Sequence, residues 1–233
     1  MKLKKGIILV FILAFVLNGV LLLLFFLNGF IVNAPISKPA YSNDQIFTEN
    51  PVFSEDLTWK AVILSGYASD NGNVLLNWDR SRRKFHQEIL RRGILSEDIR
   101  ILTSLPHEVG KTVSGTTIRS ATIDNFFQSI YSLGLKEGDG LVIFMTSHGS
   151  KRNGFVFEIA NNYRDHYLSM EQFYFGFKKN DLEKIPTLIF ISACYSGQYI
   201  DGVYGRPETK DYRLPRHNRV VMTAASNKTS SFG

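Results

Sequence analysis

Leu141-Val142-Ile143-Phe144-Met145-Thr146-Ser147-His148-Gly149-Ser150 is an apolar run that opens directly into a polar loop containing a glycine. Thr187-Leu188-Ile189-Phe190-Ile191-Ser192-Ala193-Cys194-Tyr195-Ser196-Gly197 repeats the arrangement further along the chain. Short runs of this kind, rich in β-branched and aromatic residues and bounded by turn residues, read as strands buried on both faces. Lys60–Gly66, Ile99–Thr103 and Arg219–Thr223 read the same way. Helical spacings lie between them. Asp79 or Ser81 is expected to cap a helix that runs to Arg92 and stops at Gly93. Thr117–Leu133 carries Ile118, Ile123, Phe126, Phe127 and Ile130 at helix-like intervals, with Gly134 closing it. Ser169–Lys179 opens on Ser169 and Gln172, a capping-box pair. Strands that alternate with helices predict an α/β domain with an open, mainly parallel sheet.

In such sheets the sites form where loops leave the carboxyl ends of the strands. His148 and Cys194 each stand just beyond a strand, so the two are expected at one edge. A cysteine attacks a carbonyl as its thiolate, and a neighbouring imidazole both activates it and hands a proton to the leaving amine. Gly149 and Gly197 leave room for a substrate backbone, and the amides of Gly149 and Cys194 are candidates for an oxyanion hole. Cys194 is the single cysteine, so it has no partner for an internal disulfide. A lone cysteine is either buried and inert or kept for its chemistry.

The 27 basic and 21 acidic residues give a net charge of +6, spread along the chain rather than held in one block. That spread argues against a nucleic-acid partner. The densest basic stretch, Arg80 to Lys84 with Arg91 and Arg92, lies on an amphipathic pattern with Phe85, Ile89 and Leu90 opposite, and reads as a solvated helix face. At the N-terminus, lysines within residues 1–5 precede an uncharged apolar run, residues 6–32, that is long enough to cross a bilayer. A single transmembrane anchor is expected, with residues 1–5 cytoplasmic and the body of the chain outside the cytoplasm. The alternative is a signal peptide and a secreted chain. Residues 33–58, with Pro35, Pro39 and Pro51, read as a tether, and 59–233 as the globular domain.

The paired motifs Thr-Ser-His148-Gly149-Ser150 and Ser-Ala-Cys194-Tyr-Ser-Gly197, followed by Thr223-Ala224-Ala225-Ser226-Asn227 and Ser230-Ser231-Phe232-Gly233, resemble the legumain-like cysteine peptidases. That family has a caspase-like fold and includes a glycosylphosphatidylinositol transamidase subunit. The resemblance implies a cysteine endopeptidase with His148 as general base and acid, Cys194 as nucleophile, a peptide or protein as substrate, and no metal or organic cofactor. It also implies a histidine-orienting role for Asn77 and a specificity-pocket role for Arg80 and Ser226, with cleavage after Asn first and Asp second. Against the family pattern, Asp79 alters the Asn-aromatic-Arg order, and Asp79 as a cap with Arg80 in solvent stands as the plain alternative. The family's sheet normally continues past the fifth strand, so part of the C-terminal fold is expected to be missing and a partner chain is expected at the open sheet edge. A transamidase with the same acyl-enzyme and a tethered, non-catalytic binding module remain as alternatives.

Other motifs carry less. Gly110-Lys111-Thr112 would need a glycine at Leu105 to form a phosphate loop. His86, His107, His166 and His217 lack zinc-ligand spacing. Asn227-Lys228-Thr229 matches a glycosylation acceptor.

Overall fold

The structure is a computed structural model and describes residues 57–66, 72–157, 166–179, 181–215 and 218–231. The expected anchor at 6–32 and most of the expected tether lie outside the described residues. Among the described residues no helix is long and apolar enough to cross a membrane.

Among the described residues ten strands form two sheets: β1 (Thr58–Ser65), β2 (Ile99–Thr103), β3 (Thr112–Val113), β4 (Thr116–Ser120), β5 (Asp139–Thr146), β6 (Gly149–Ser150), β7 (Gly154–Val156), β8 (Tyr167–Leu168), β9 (Thr187–Ser192) and β10 (Arg219–Thr223). The helices are α1 (Gly72–Arg91), α2 (Ile123–Tyr131), α3 (Met170–Lys179) and α4 (Gln198–Asp201). Seven strands make the main sheet in the order β10-β9-β5-β1-β2-β4-β3, and only the β3–β4 pair is antiparallel. The chain therefore builds outward from β1 on one side and then returns to build β5, β9 and β10 on the other. The reversal falls between β1 and β5, and the crevice beyond the carboxyl ends at such a point is where open α/β sheets hold their ligands. A small antiparallel sheet, β6-β7-β8, follows directly from β5.

Alternation along β1 explains why its apolar run is continuous. Ala61 and Ile63 face α1 and pack with Ile89, Ile99 and Ile101, whereas Val62 and Leu64 face α2 and α3 with Phe126, Phe173 and Phe177. Phe85 of α1 stacks on Phe144 of β5 with ring centroids 4.3 Å apart. On the other face Phe126 meets Phe127, Phe157 and Phe173 edge-on. Burying one such ring or branched side chain is worth about 1.5–3 kcal/mol, so the two apolar layers carry the stability of the sheet.

Two helix boundaries differ from expectation. Residues 116–120 form β4 beside β2, and the following helix begins after Thr122, whose hydroxyl accepts from the Asn125 amide at 3.1 Å. The expected helix over 117–133 had run the strand Thr-Thr-Ile-Arg-Ser and the helix into one pattern. Asp79 is not a cap, because α1 starts at Gly72 and Asp79 lies inside it. The capping box of α3 forms as expected: the Gln172 amide donates to the Ser169 hydroxyl at 3.1 Å, and the Ser169 amide donates to Gln172 Oε1 at 2.9 Å.

Candidate active site

β5 and β9 pair in parallel with Thr146 opposite Ser192, and the Ser147 amide extends the ladder to the Ser192 carbonyl at 3.2 Å. His148 and Cys194 each stand two residues past that pair. The backbones behind them then touch. A Cβ added at Gly149 would overlap the Cys194 carbonyl oxygen and come within 2.8 Å of its carbonyl carbon, so only glycine allows this approach. One strand earlier, the Gly66 amide donates to the Thr146 carbonyl at 2.8 Å, and a Cβ there would stand 2.7 Å from Ser147 Cβ.

The cysteine turn is clamped by the loop after β10. Tyr195 takes a left-handed φ of 55°, and its amide donates to the Thr229 carbonyl at 2.9 Å. The Gly197 amide donates to the Ala225 carbonyl at 2.8 Å, and a Cβ on Gly197 would stand 2.6 Å from the Asn227 amide nitrogen. The Ser196 hydroxyl accepts from the Ala225 amide at 3.3 Å. Cys194 is half-buried, with its Sγ 3.8 Å from the Ser231 carbonyl oxygen and 3.7 Å from the Ser231 hydroxyl.

His148 is exposed on one side, and Trp78 of α1 meets its ring edge-to-face with centroids 4.7 Å apart at 87°. Partial desolvation holds its imidazole below the ordinary histidine pKa, which favours the neutral form that accepts a proton.

The other expected residues lie on α1 and in the loop after β10. Asn77 is exposed, and its carbonyl accepts from the Ser81 hydroxyl at 3.1 Å; its neighbour Trp78 is the residue against the histidine. Arg80 is exposed on α1. Ser226 is exposed in the loop that clamps the cysteine turn, its hydroxyl 2.9 Å from that of Thr229. Asn227 of the glycosylation pattern is half-buried, and its side-chain amide donates to the Gly202 carbonyl at 2.9 Å, so its nitrogen is engaged within the fold. Among the described residues no group of three or more His, Cys, Asp or Glu is placed to hold a metal ion.

A buried ionic layer beneath α1 was not legible as such. Arg82, read as part of a solvated face, is 2% exposed and pairs with Asp79 at 2.5 Å. Arg83 joins Asp79 at 2.6 Å to Glu108 at 2.9 Å, and Lys111 closes on Glu108 at 2.8 Å. Burial pushes the Asp79 carboxyl up, but hydrogen bonds and charge from Arg83 and Arg82 outweigh it and hold the group below its usual range. The available signal was Asp at i with Arg at i+3 and i+4.

The model of the peptidase C13 family matches residues 124–233, the stretch that carries β5, β9, β10 and the loops just described. Over that stretch the chain is similar to the legumain-like cysteine peptidases. The match spans a little under half of the chain and supports the activity of the family, a cysteine peptidase or transamidase. A search of curated proteins finds no match.

Proposed function

We propose that the chain is a cysteine endopeptidase in which Cys194 and His148 act as one unit. His148 takes the thiol proton, the thiolate sulfur bonds to the scissile carbonyl carbon, and the negative charge passes to the carbonyl oxygen near the Gly149 and Cys194 amides. The carbon–nitrogen bond then breaks as protonated His148 gives its proton to the leaving amine. Water, deprotonated by the same imidazole, attacks the thioester and releases the acid and the thiol.

The equal overrun of two paired strands carries this reading: β5 and β9 leave the sheet in register, and Gly149 rests against the Cys194 backbone. The depressed histidine pKa supports it by keeping the base neutral near pH 7. Cleavage after Asn, then Asp, with Arg80 and Ser226 in the pocket, extends the reading and rests on the family resemblance.

The decisive experiment compares Cys194→Ala, His148→Ala and the double variant on a peptide set carrying Asn, Asp, Lys or Leu before the scissile bond. Each single variant is expected to lose nearly all activity, at least about 10³-fold, and the double variant to be little worse, because residues acting as a unit are not additive. Retention of most activity by Cys194→Ala excludes the mechanism. Cleavage after Lys or Leu removes the pocket assignment alone.

A further inference from the structure

Tyr204, 52% exposed, follows α4 on the loop that leaves the cysteine turn. Two lysines from two other loops approach its ring: Lys151 Nζ at 5.8 Å and Lys228 Nζ at 5.0 Å from the centroid. Lys151 lies in the β6–β7 turn, three positions after His148, and Lys228 lies in the loop after β10. Each of these loops is fastened to the site. Gln198, itself buried, donates through Nε2 to the Ser150 carbonyl and to the Tyr195 carbonyl, both at 3.0 Å. Thr229, next to Lys228, accepts from the Tyr195 amide at 2.9 Å, and Asn227 donates to Gly202 at 2.9 Å.

The ring thus gathers two like charges at the rim of the loops that carry His148 and Cys194. Among the described residues neither lysine has a carboxylate within ion-pair distance, nor does the exposed Arg152 beside Lys151. Both ammonium groups lie against one aromatic ring, and an exposed cation–π contact holds each of them only modestly. Carboxylates arriving from outside would find ammonium groups here that no carboxylate among the described residues meets. On α1, by comparison, Glu88 meets Arg91 and Arg92.

We propose that Lys151, Lys228 and Tyr204 form a recognition site for acidic residues of a peptide substrate, flanking the scissile bond on one side. The proposal rests on the peptidase reading above and adds its substrate class: a polypeptide with an Asp/Glu-rich stretch beside the cleavage point.

The test uses the full-length Cys194→Ala chain in neutral detergent, so that binding is read without turnover. Two fluorescent peptides share one centre and differ in carrying glutamates or glutamines in the flanks. At low ionic strength the glutamate peptide is expected to bind about threefold to tenfold more tightly, the range that two exposed ion pairs supply. Raising the salt, or introducing Lys151→Glu with Lys228→Glu, is expected to bring the ratio to about one or below. Lys151→Gln with Lys228→Gln provides the same reading with less change in charge. No preference between the peptides, including no binding of either, overturns the proposal, as does a preference that survives charge reversal. Lysine-dependent binding to anionic vesicles without a peptide preference assigns the patch to a membrane surface and overturns it too. The peptidase reading fails by a different measurement, the absence of Cys194-dependent cleavage in the native chain.

Discussion

Two regions at the carboxyl edge of the main sheet are built on opposite principles. Beyond β5 and β9 the site is held by backbone: strand register, two glycines that admit close approach, and amide hydrogen bonds to the loop after β10. Beyond β1 and β2 the chain is held by charge, through Asp79, Arg82, Arg83 and Glu108, with the Ser65 and Thr103 hydroxyls 3.0 Å apart beneath them. Backbone contacts fix position without titrating, and they leave side chains free for chemistry. A buried ion pair fixes position too, but it converts the loss of one partner into an uncompensated buried charge. The two regions meet where Trp78, one residue before Asp79, touches His148. Stability and activity should therefore respond separately to damage on the two sides.

The largest expected effect lies on the ionic side. Asp79→Ala leaves the buried Arg82 guanidinium unpaired, and breaking a buried pair in this way costs about 3–5 kcal/mol. Urea unfolding of the variant should show that loss, while Arg80→Ala on the exposed face changes stability by less than about 0.5 kcal/mol. The pH dependence has a definite sign. The folded Asp79 pKa lies below its unfolded value, so its contribution is present above the unfolded value of about 3.9 and is lost as pH falls through the folded pKa. An Asp79→Ala chain that unfolds at the same urea concentration as the parent would erase the contrast between the regions.

On the backbone side the expected loss is in rate. Gly149→Ala places a methyl group on the Cys194 carbonyl, so one of the two loops must move. A displacement of about 1 Å at reacting groups costs about 10²-fold in rate. The kcat/KM of Gly149→Ala should fall by at least that factor, and alkylation of Cys194 should still proceed because the thiol itself remains. Near-parental kcat/KM would mean that the close approach is incidental to catalysis.

How much of this was legible depends on which force fixes each part. β2 and β10 coincide with the expected runs, and β5 and β9 exceed theirs by three residues and one, because strands covered on both faces must be apolar throughout. The placement of His148 and Cys194 at one edge followed from that alone. α1 and β4 were misjudged where local spacing was ambiguous: Ile118 belongs to the strand paired with β2, and the helix begins only after Thr122. Arg82 was assigned to solvent because a basic stretch on an amphipathic helix ordinarily is. Its burial depends on Asp79 and on β2, which no local pattern reports. Trp78 drew no reading because the family resemblance points to its neighbour Asn77, and the direction of the side chains depends on a helix start that the sequence signals displaced to Asp79.

Trp78 gives the smallest and most discriminating effect. Its ring shields one side of His148, and that desolvation keeps the imidazole pKa below its ordinary value. Trp78→Ala admits water, so the histidine pKa should rise toward about 6.5 and the acid limb of kcat/KM should move to higher pH. The variant then loses most activity on the acid side of neutrality and least above it. Loss of an edge-to-face pair also costs about 0.5–1.5 kcal/mol of stability, which Trp78→Phe should largely restore along with the parental pH profile. Because a histidine with a lowered folded pKa binds fewer protons than its unfolded counterpart, this shielding works against stability only below the unfolded pKa. Acidification through pH 6 should therefore destabilise the parent more than Trp78→Ala. A Trp78→Ala chain whose activity falls equally at every pH would make the tryptophan a packing residue of α1 and return the orientation of His148 to Asn77.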